Sequence, residues 1–310
     1  MNNMNMYDLI IIGGGPAGVS AGVYSARKKL KTAIITDTFG GQSTESLSIE
    51  NWIGVKSMSG AEFGKILEDH LRSVANDCVD IFTGDKVKKI DEKINSFRIE
   101  TESGLSLESR TILITVGSKR RKLDAIGSEH FENRGVTYCA SCDGPLFSGQ
   151  DVAVVGGGNA GFESASQLLA YTKSVTLFNR GIDFKADPST VLKVLSHPNM
   201  KVIKNAEILE LKGSNFLQSI IYTDPDGKHE LKVTGLFVEI GLIPATKFLE
   251  DIVDLNKYGQ IIINHKNQRT SKDGIWAAGD ATDVLYHQNN IASGDAVKAL
   301  EDIYLYLRAK

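Results

Sequence analysis

Two stretches of the chain repeat one pattern: a continuous apolar run, a glycine cluster, a helical periodicity and a second apolar run. The first reads Tyr7-Asp8-Leu9-Ile10-Ile11-Ile12 and then GGGPAG. The second reads Gln150-Asp151-Val152-Ala153-Val154-Val155 and then GGGNAG. An unbroken apolar run of this length predicts a parallel strand covered on both faces. Helical stretches follow at 19–29 and 162–171, and second strands at 32–36 and 174–178. Strand, helix and strand in that order make a βαβ unit. The chain carries it twice, which predicts duplication of a nucleotide-binding module.

Further strands are predicted at 96–101, 111–116, 231–240 and 260–264. Thr223-Asp224-Pro225-Asp226-Gly227 has the composition of a turn between two strands. Phe63, Ile66, Leu67, Leu71 and Val74 fall at helical spacing and predict a helix over 60–76. A last helix is predicted over 294–307. No low-complexity linker divides the chain. The glycine-bearing stretches Val116-Gly117-Ser118 and Gly241-Leu242-Ile243-Pro244 are the natural crossings. They imply an α/β architecture in which the second module is inserted into the first.

Composition narrows the class. The 310 residues are 42% apolar and 24% charged, enough for about two domains. A net charge of −3 argues against nucleic acid as a partner. No run of about 18 apolar residues exists, so no membrane span is expected. The polar start, Met1 to Tyr7, lacks the charged and apolar regions of a signal peptide. A cytoplasmic location is expected, where a close cysteine pair more often serves catalysis or metal binding than structure.

The glycines define two candidate cradles. In such a fingerprint the first glycine permits a tight strand-to-helix turn, the second lets backbone approach a pyrophosphate, and the third lets helix pack on strand. These are Gly13, Gly15 and Gly18 in the first module, and Gly156, Gly158 and Gly161 in the second. N–H groups at the helix start then hold phosphate oxygens. An acidic residue about 20 positions on takes the ribose hydroxyl in such modules. Asp37 is the candidate in the first, with a plain turn aspartate as the alternative. The corresponding position in the second is read as Asn179, followed by Arg180.

Between the cradles stands Tyr138-Cys139-Ala140-Ser141-Cys142-Asp143-Gly144-Pro145, with two of the chain's three cysteines. A zinc site needs two more ligands at suitable spacing. Cys78 stands apart and the six histidines show no paired spacing. The metal expectation is therefore none, and the pair reads as a dithiol–disulfide couple. Asp143 beside it is placed to give or take the proton of thiolate chemistry, or to cap the following turn. Cys78 reads as a small packing residue. The run Lys119-Arg120-Arg121-Lys122 reads as a solvated face or a patch steering an acidic partner.

These residues together resemble the low-molecular-weight thioredoxin reductase family. The pattern is nearest the flavoprotein subunit of the alkyl hydroperoxide reductase system, without that protein's N-terminal extension. The resemblance runs from Tyr7 to about Leu307. It rests on GGGPAG, Gly40-Gly41-Gln42, Glu50-Asn51-Trp52, GVTYCASCDGPLF, GGGNAG, Phe184-Lys185-Ala186-Asp187, Gly241 with Pro244, AAGDATD, and Tyr286 with Gln288.

The resemblance implies two Rossmann-like domains: an FAD-binding domain of 1–116 and 245–310, and an NAD(P)-binding domain of 117–244 carrying the dithiol. It implies FAD contacts at Gly13, Gly15, Pro16, Ala17, Gly18, Asp37, Gly41, Gln42, Asn51, Gly279, Asp280, Gln288 and Ile291. It implies nicotinamide-nucleotide contacts at Gly156, Gly158, Asn159, Ala160, Gly161, Asn179, Arg180 and Lys185. Catalysis would fall to Cys142, nearer the flavin, to Cys139, which attacks the partner, and to Asp143 as proton donor. Electrons would pass from NADH or NADPH through FAD and the disulfide to thioredoxin or a thioredoxin-like protein, in a homodimer. The alternatives are ferredoxin as donor, an adaptor feeding a peroxiredoxin as acceptor, or a redox-sensing flavoprotein without turnover.

Two departures bear on the donor. NADPH-linked relatives carry His-Arg-Arg and a further Arg where this chain has Asn179-Arg180-Gly181 and Lys185. NADH-preferring relatives carry Glu where Asn179 stands. Overall resemblance favours NADH, while two remaining cations leave room for a 2′-phosphate. His287 also replaces a basic residue usual between Tyr286 and Gln288.

Overall fold

Each apolar run becomes an inner strand of its own sheet, parallel to both of its neighbours. The computed structural model describes residues 6–46 and 48–309. Residues 1–5, part of the stretch read for a leader, lie outside the described residues. The chain divides into two units, 1–119 with 243–310 and 120–242.

The first unit begins with β1 (Tyr7–Gly14), α1 (Pro16–Arg27), β2 (Thr32–Phe39), α2 (Gly60–Ala75), β3 (Val79–Thr83), β4 (Val87–Lys93), β5 (Ser96–Thr101) and β6 (Ser106–Ile114). After β7 (Ser118–Arg120) the second unit holds β8 (Val136–Thr137), α3 (Ala140–Asp143), β9 (Asp151–Val155), α4 (Asn159–Leu168), β10 (Ser174–Asn179), α5 (Pro188–Leu195) and β11 (Met200–Lys204). It continues with β12 (Glu207–Gly213), β13 (Leu217–Asp224), β14 (Gly227–Lys232) and β15 (Gly235–Val238). Then β16 (Leu242–Pro244) returns the chain to the first unit, which closes with β17 (Ile275–Ala277) and α6 (Asn289–Arg308).

In the first unit the sheet order is β3-β2-β1-β6-β5-β4, with β17 also on β6. Strand β1 is parallel to both neighbours, with Ile12 opposite Ile35 and Ile114. Its residues alternate between two cores. Leu9 and Ile11 pack with α1, α2 and α6, while Ile10 and Ile12 pack on the opposite face. All four are buried, which is why the run is continuously apolar. Helix α2 is capped by Ser59, whose hydroxyl accepts from the Glu62 N–H at 3.2 Å. It buries Phe63, Leu67 and Leu71, while Ile66 turns outward.

In the second unit the order is β11-β10-β9-β15-β8, all parallel. A separate antiparallel sheet, β12-β13-β14, carries the predicted turn between Asp224 and Gly227. The duplication holds in register: Ile12 faces Ile35 in the first unit, and Val155 faces Phe178 in the second.

Several elements differ from the sequence reading. Residues 231–240 form two strands in two sheets, broken at Val233–Thr234. The strand predicted over 260–264 does not form: Ile261 and Ile263 are buried, but the segment makes only isolated bridges and no ladder. The first helix starts at Pro16, where the missing N–H costs nothing. The last helix is longer than predicted. Among the described residues no helix is long and apolar enough to cross a membrane, and no group of three or more His, Cys, Asp or Glu is placed to hold a metal ion.

Candidate active site

The two cradles share one geometry. Gly13 and Gly156 take φ of +115° and +135°, a region that favours glycine. A Cβ at Gly13 would lie 2.4 Å from the Thr115 carbonyl oxygen, and one at Gly156 would lie 2.1 Å from that of Glu239. The third glycines are fixed by helix packing: a Cβ at Gly18 would meet the Gly13 carbonyl at 1.8 Å, and one at Gly161 that of Gly156 at 1.9 Å. The middle glycines differ. Gly15 and Gly158 have ordinary φ of −72° and −96°, and a Cβ there would meet nothing within 4 Å. Neither strain nor packing within the chain calls for glycine at these positions. A ligand approaching the backbone at the start of α1 and of α4 would call for it, and in this both cradles fit a dinucleotide.

Around the first cradle the structure assembles residues far apart in sequence. A Cβ on Gly41 would lie 3.5 Å from the Gly15 Cα. Gln42 lies in the short helical turn that follows, where the next residue, Ser43, donates to Asn289 Oδ1 at 2.8 Å. Asn51 donates from Nδ2 to Gln288 Oε1 at 3.1 Å, and Asn290 donates to the Asn51 carbonyl at 2.8 Å. Gly279 has φ of +79°, and a Cβ on it would meet those of Ala292 at 3.3 Å and Ala17 at 3.5 Å. Asp280 Oδ1 lies 3.4 Å from His287 Nδ1, a buried nitrogen without a hydrogen bond. Ile291 lies in the first turn of α6, partly exposed. Asp37 stands near the end of β2, its carboxylate paired with Lys86 at 2.8 Å.

At the second cradle a loop is fastened from three sides. Lys185 N–H donates to the Gly157 carbonyl at 2.8 Å, and Asp187 N–H to Asn159 Oδ1 at 2.8 Å. Buried Asn179 donates from Nδ2 to the carbonyls of Gly181 at 2.7 Å and Asp183 at 3.1 Å. A Cβ on Gly157 would lie 2.0 Å from Asn179 Oδ1, as one on Gly14 would lie 2.5 Å from Thr36 Oγ1. Asn179 therefore answers to Thr36, and the counterpart of Asp37 is Arg180 rather than Asn179. Arg180 and Lys185 are exposed at this end of β10. Ala160 lies on the first turn of α4, exposed.

Cys139 and Cys142 form a disulfide, with 5.3 Å between their Cα atoms. Cys139 caps α3, its Sγ accepting from the Cys142 N–H at 3.2 Å. The Asp143 carboxylate does not cap the turn after it; it accepts the hydroxyl hydrogen of Thr137. Tyr171 donates to the Ala140 carbonyl at 3.4 Å, and its hydroxyl fills the space a Cβ on Gly144 would need. β8, β15 and β9 are neighbours running the same way. Their C-terminal ends therefore lead, side by side, into the dithiol loop, Glu239 and the Gly156 cradle.

The family model described as pyridine nucleotide-disulphide oxidoreductase matches residues 7–296. The chain belongs to that family. Among relatives, it is 39% identical over 303 residues to "NADH dehydrogenase" of Bacillus subtilis (strain 168), covering 97% of this chain and 58% of that protein. It is 40% identical over 307 residues to an alkyl hydroperoxide reductase component of Staphylococcus aureus (strain MRSA252), covering 98% and 60%. The chain thus spans about three fifths of these relatives. Among solved structures, thioredoxin reductase from Streptococcus pyogenes MGAS5005 superposes with a TM-score of 0.90 at 32% identity, covering 99% of this chain and all of that one. Thioredoxin reductase from Giardia duodenalis gives 0.92 at 29%, covering 98% and 99%. The α/β fold with two Rossmann-like modules is that of these oxidoreductases.

Sequence reasoning missed three polar residues here: Thr137, which anchors Asp143, and the pair Ser164 and Glu239. Ser164 Oγ donates to Glu239 Oε1 at 2.6 Å. Burial pushes the Glu239 carboxyl up to about 7, against the Ser164 hydrogen bond and the nearby Arg120, and with the help of Glu163. Thr137 ends one apolar strand and Glu239 follows another; the strand order brings Glu239 between the dithiol loop and the cradle. Of the basic run, Arg120 stacks over Tyr138 at 5.8 Å and Lys122 pairs with Glu132 at 3.0 Å.

Proposed function

We propose that this chain is a flavin-dependent disulfide reductase. Its first cradle holds FAD, its second a reduced nicotinamide dinucleotide, and Cys139–Cys142 is the couple that leaves with the electrons. The observation that carries this reading is the side-by-side placement of dithiol loop and second cradle on one parallel sheet. Bound flavin supplies two-electron exchange between the nicotinamide and the disulfide.

The chain's own residues account for the rest. Reduction of Cys139–Cys142 consumes two electrons and two protons and gives two thiols. The Cys139 thiolate attacks a target disulfide and forms a mixed disulfide. Cys142 then attacks Cys139, releasing the target as a dithiol and restoring the Cys139–Cys142 bond. Asp143, held by Thr137, takes and returns the proton that this sequence moves. The resemblance to thioredoxin reductases supports thioredoxin as the target, and the relatives named for alkyl hydroperoxide reduction support a thioredoxin-like adaptor as well. For the donor, Arg180 in the place of Asp37, with Lys185 nearby, supports acceptance of a 2′-phosphate; overall resemblance supports NADH.

Anaerobic titration with NADH and NADPH in parallel tests the reading. Bleaching of the flavin, two new thiols and reduction of oxidised thioredoxin are expected. Loss of the last in Cys142→Ser is also expected. Protein that binds no flavin, or that bleaches with neither nucleotide, would contradict it.

A further inference from the structure

The two modules share a ground plan, and one of their departures in chemistry lies against the first glycine of each cradle. Just beyond β6, Thr115 donates its N–H to the Ile12 carbonyl at 2.8 Å and lays its own carbonyl against Gly13. Just beyond β15, Glu239 donates its N–H to the Val155 carbonyl at 2.8 Å and lays its carbonyl against Gly156. The two residues are structural equivalents. The Thr115 hydroxyl is spent locally, on the carbonyls of Ile12 at 2.9 Å and Gly13 at 3.1 Å. The Glu239 carboxyl instead reaches α4, where Ser164 holds it. By the same repeat Ser164 stands where α1 has Ala21, which has no hydrogen bond to offer.

This position matters because of the strand order. From β9 the sheet extends through β10 and β11 on one side and through β15 on the other. Ligands of such sheets enter the crevice at the carboxyl ends of the strands where the order reverses. Gly156 and Glu239 flank that crevice. The charged groups facing the carboxyl are Arg120, from β7, and Glu163, on α4. The disulfide-bonded cysteines beyond β8 carry no charge. Burial raises the Glu239 carboxyl to about 7.

We propose that Glu239 sets the affinity of the second cradle for a dinucleotide, admitting the pyrophosphate anion while its carboxyl is protonated and opposing it once ionised. The proposal rests on the reading of the second cradle as a nicotinamide-dinucleotide site. The sign follows from charge: the cradle offers N–H groups and a helix start, and an added anion beside them competes with the ligand's own. Affinity therefore falls as pH rises through neutrality.

The test is calorimetric titration of the oxidised full chain with NAD+ and with NADP+ between pH 6 and 8.5. The wild type is expected to lose about tenfold in affinity across the range, a change of about 1.4 kcal/mol. Glu239→Gln should lose that dependence and hold the wild type's low-pH affinity. Ser164→Ala, which copies the first module, removes a hydrogen bond to the charged form and should move the inflection to higher pH. A ligand titration of its own would persist in Glu239→Gln. If both variants follow the wild-type pH curve, the proposal is overturned and the cradle assignment stands. If neither nucleotide binds at any pH, the proposal falls together with that assignment.

Discussion

Thr137 donates its hydroxyl hydrogen to the Asp143 carboxylate, joining the last residue of β8 to the last residue of α3 across the dithiol. The loop bearing Cys139 is thereby closed by a side-chain bond as well as by the disulfide. General acid–base groups contribute about 10²–10⁴-fold. Asp143→Asn should slow reduction of oxidised thioredoxin by about 10²-fold while the thiol count after reduction stays unchanged. Thr137→Val should give a smaller loss of the same kind, read by the same assay.

The glycines of each cradle should separate folding from binding. Gly15→Ala and Gly158→Ala meet no chain atom within 4 Å. Both variants should melt close to the wild type, yet bind their nucleotide at least about tenfold more weakly. Gly18→Ala and Gly161→Ala drive a methyl into a backbone carbonyl at 1.8 and 1.9 Å. They should lose about 1–3 kcal/mol of stability or more. Thermal melting beside flavin content and nucleotide titration distinguishes the two classes.

Arg180 and Lys185 are the exposed cations at the end of β10. Replacing both with alanine should lower kcat/KM for NADPH at least about tenfold relative to NADH, or about 1.4 kcal/mol. Equal losses with the two donors would assign these cations to the shared pyrophosphate or to neither. Asn179→Asp faces two carbonyls with a carboxylate where two donors stood, and should cost about 1–3 kcal/mol by leaving buried groups unpaired.

Glu239 also makes stability depend on pH. Its carboxyl is raised from 4.5 to about 7 in the folded chain, so the folded state binds its proton more tightly than the unfolded state. The stabilisation is complete below 4.5 and is lost as pH climbs through about 7. Glu239→Gln should therefore melt higher than the wild type at pH 8, with the gap closing towards pH 4.5.

Leu71 and Gly22 are packed as a pair: a Cβ on Gly22 would lie 2.7 Å from Leu71 Cδ1. Leu71→Ala should cost about 2–5 kcal/mol through the cavity it leaves. Adding Gly22→Ala should restore part of that loss, since the new methyl points into the vacated space. The double-mutant cycle by urea denaturation gives the coupling.

The cradles were legible because their glycines fall within six residues of one another, although the carbonyls that press on Gly13 and Gly156 come from Thr115 and Glu239. The alternation of Leu9 and Ile11 against Ile10 and Ile12 was legible as a doubly covered strand for the same reason. Residues 231–240 misled because one apolar run serves two sheets, and nothing local marks the exchange at Val233–Thr234. At 260–264 buried Ile261 and Ile263 mimic a strand, although their backbone finds only scattered bridges. Asn179 was read for its neighbours in sequence, whereas its hydrogen bonds bind its own loop. Glu239 was invisible as chemistry, since its meaning depends on which strands lie beside β15.

The placement of β17 and α6 has a consequence for biosynthesis. Ile275 lies opposite Ile112 in the first sheet, and α6 packs its alanines against the core that α1 began. The inserted unit is one uninterrupted segment, so it has every strand it needs while the ribosome is still translating the remainder. The unit that starts first must wait, with one flank of its sheet and core uncovered, until the final helix emerges. Domains generally fold in the order in which they are made; in this chain the last contacts of the first unit come from residues made after the whole inserted unit.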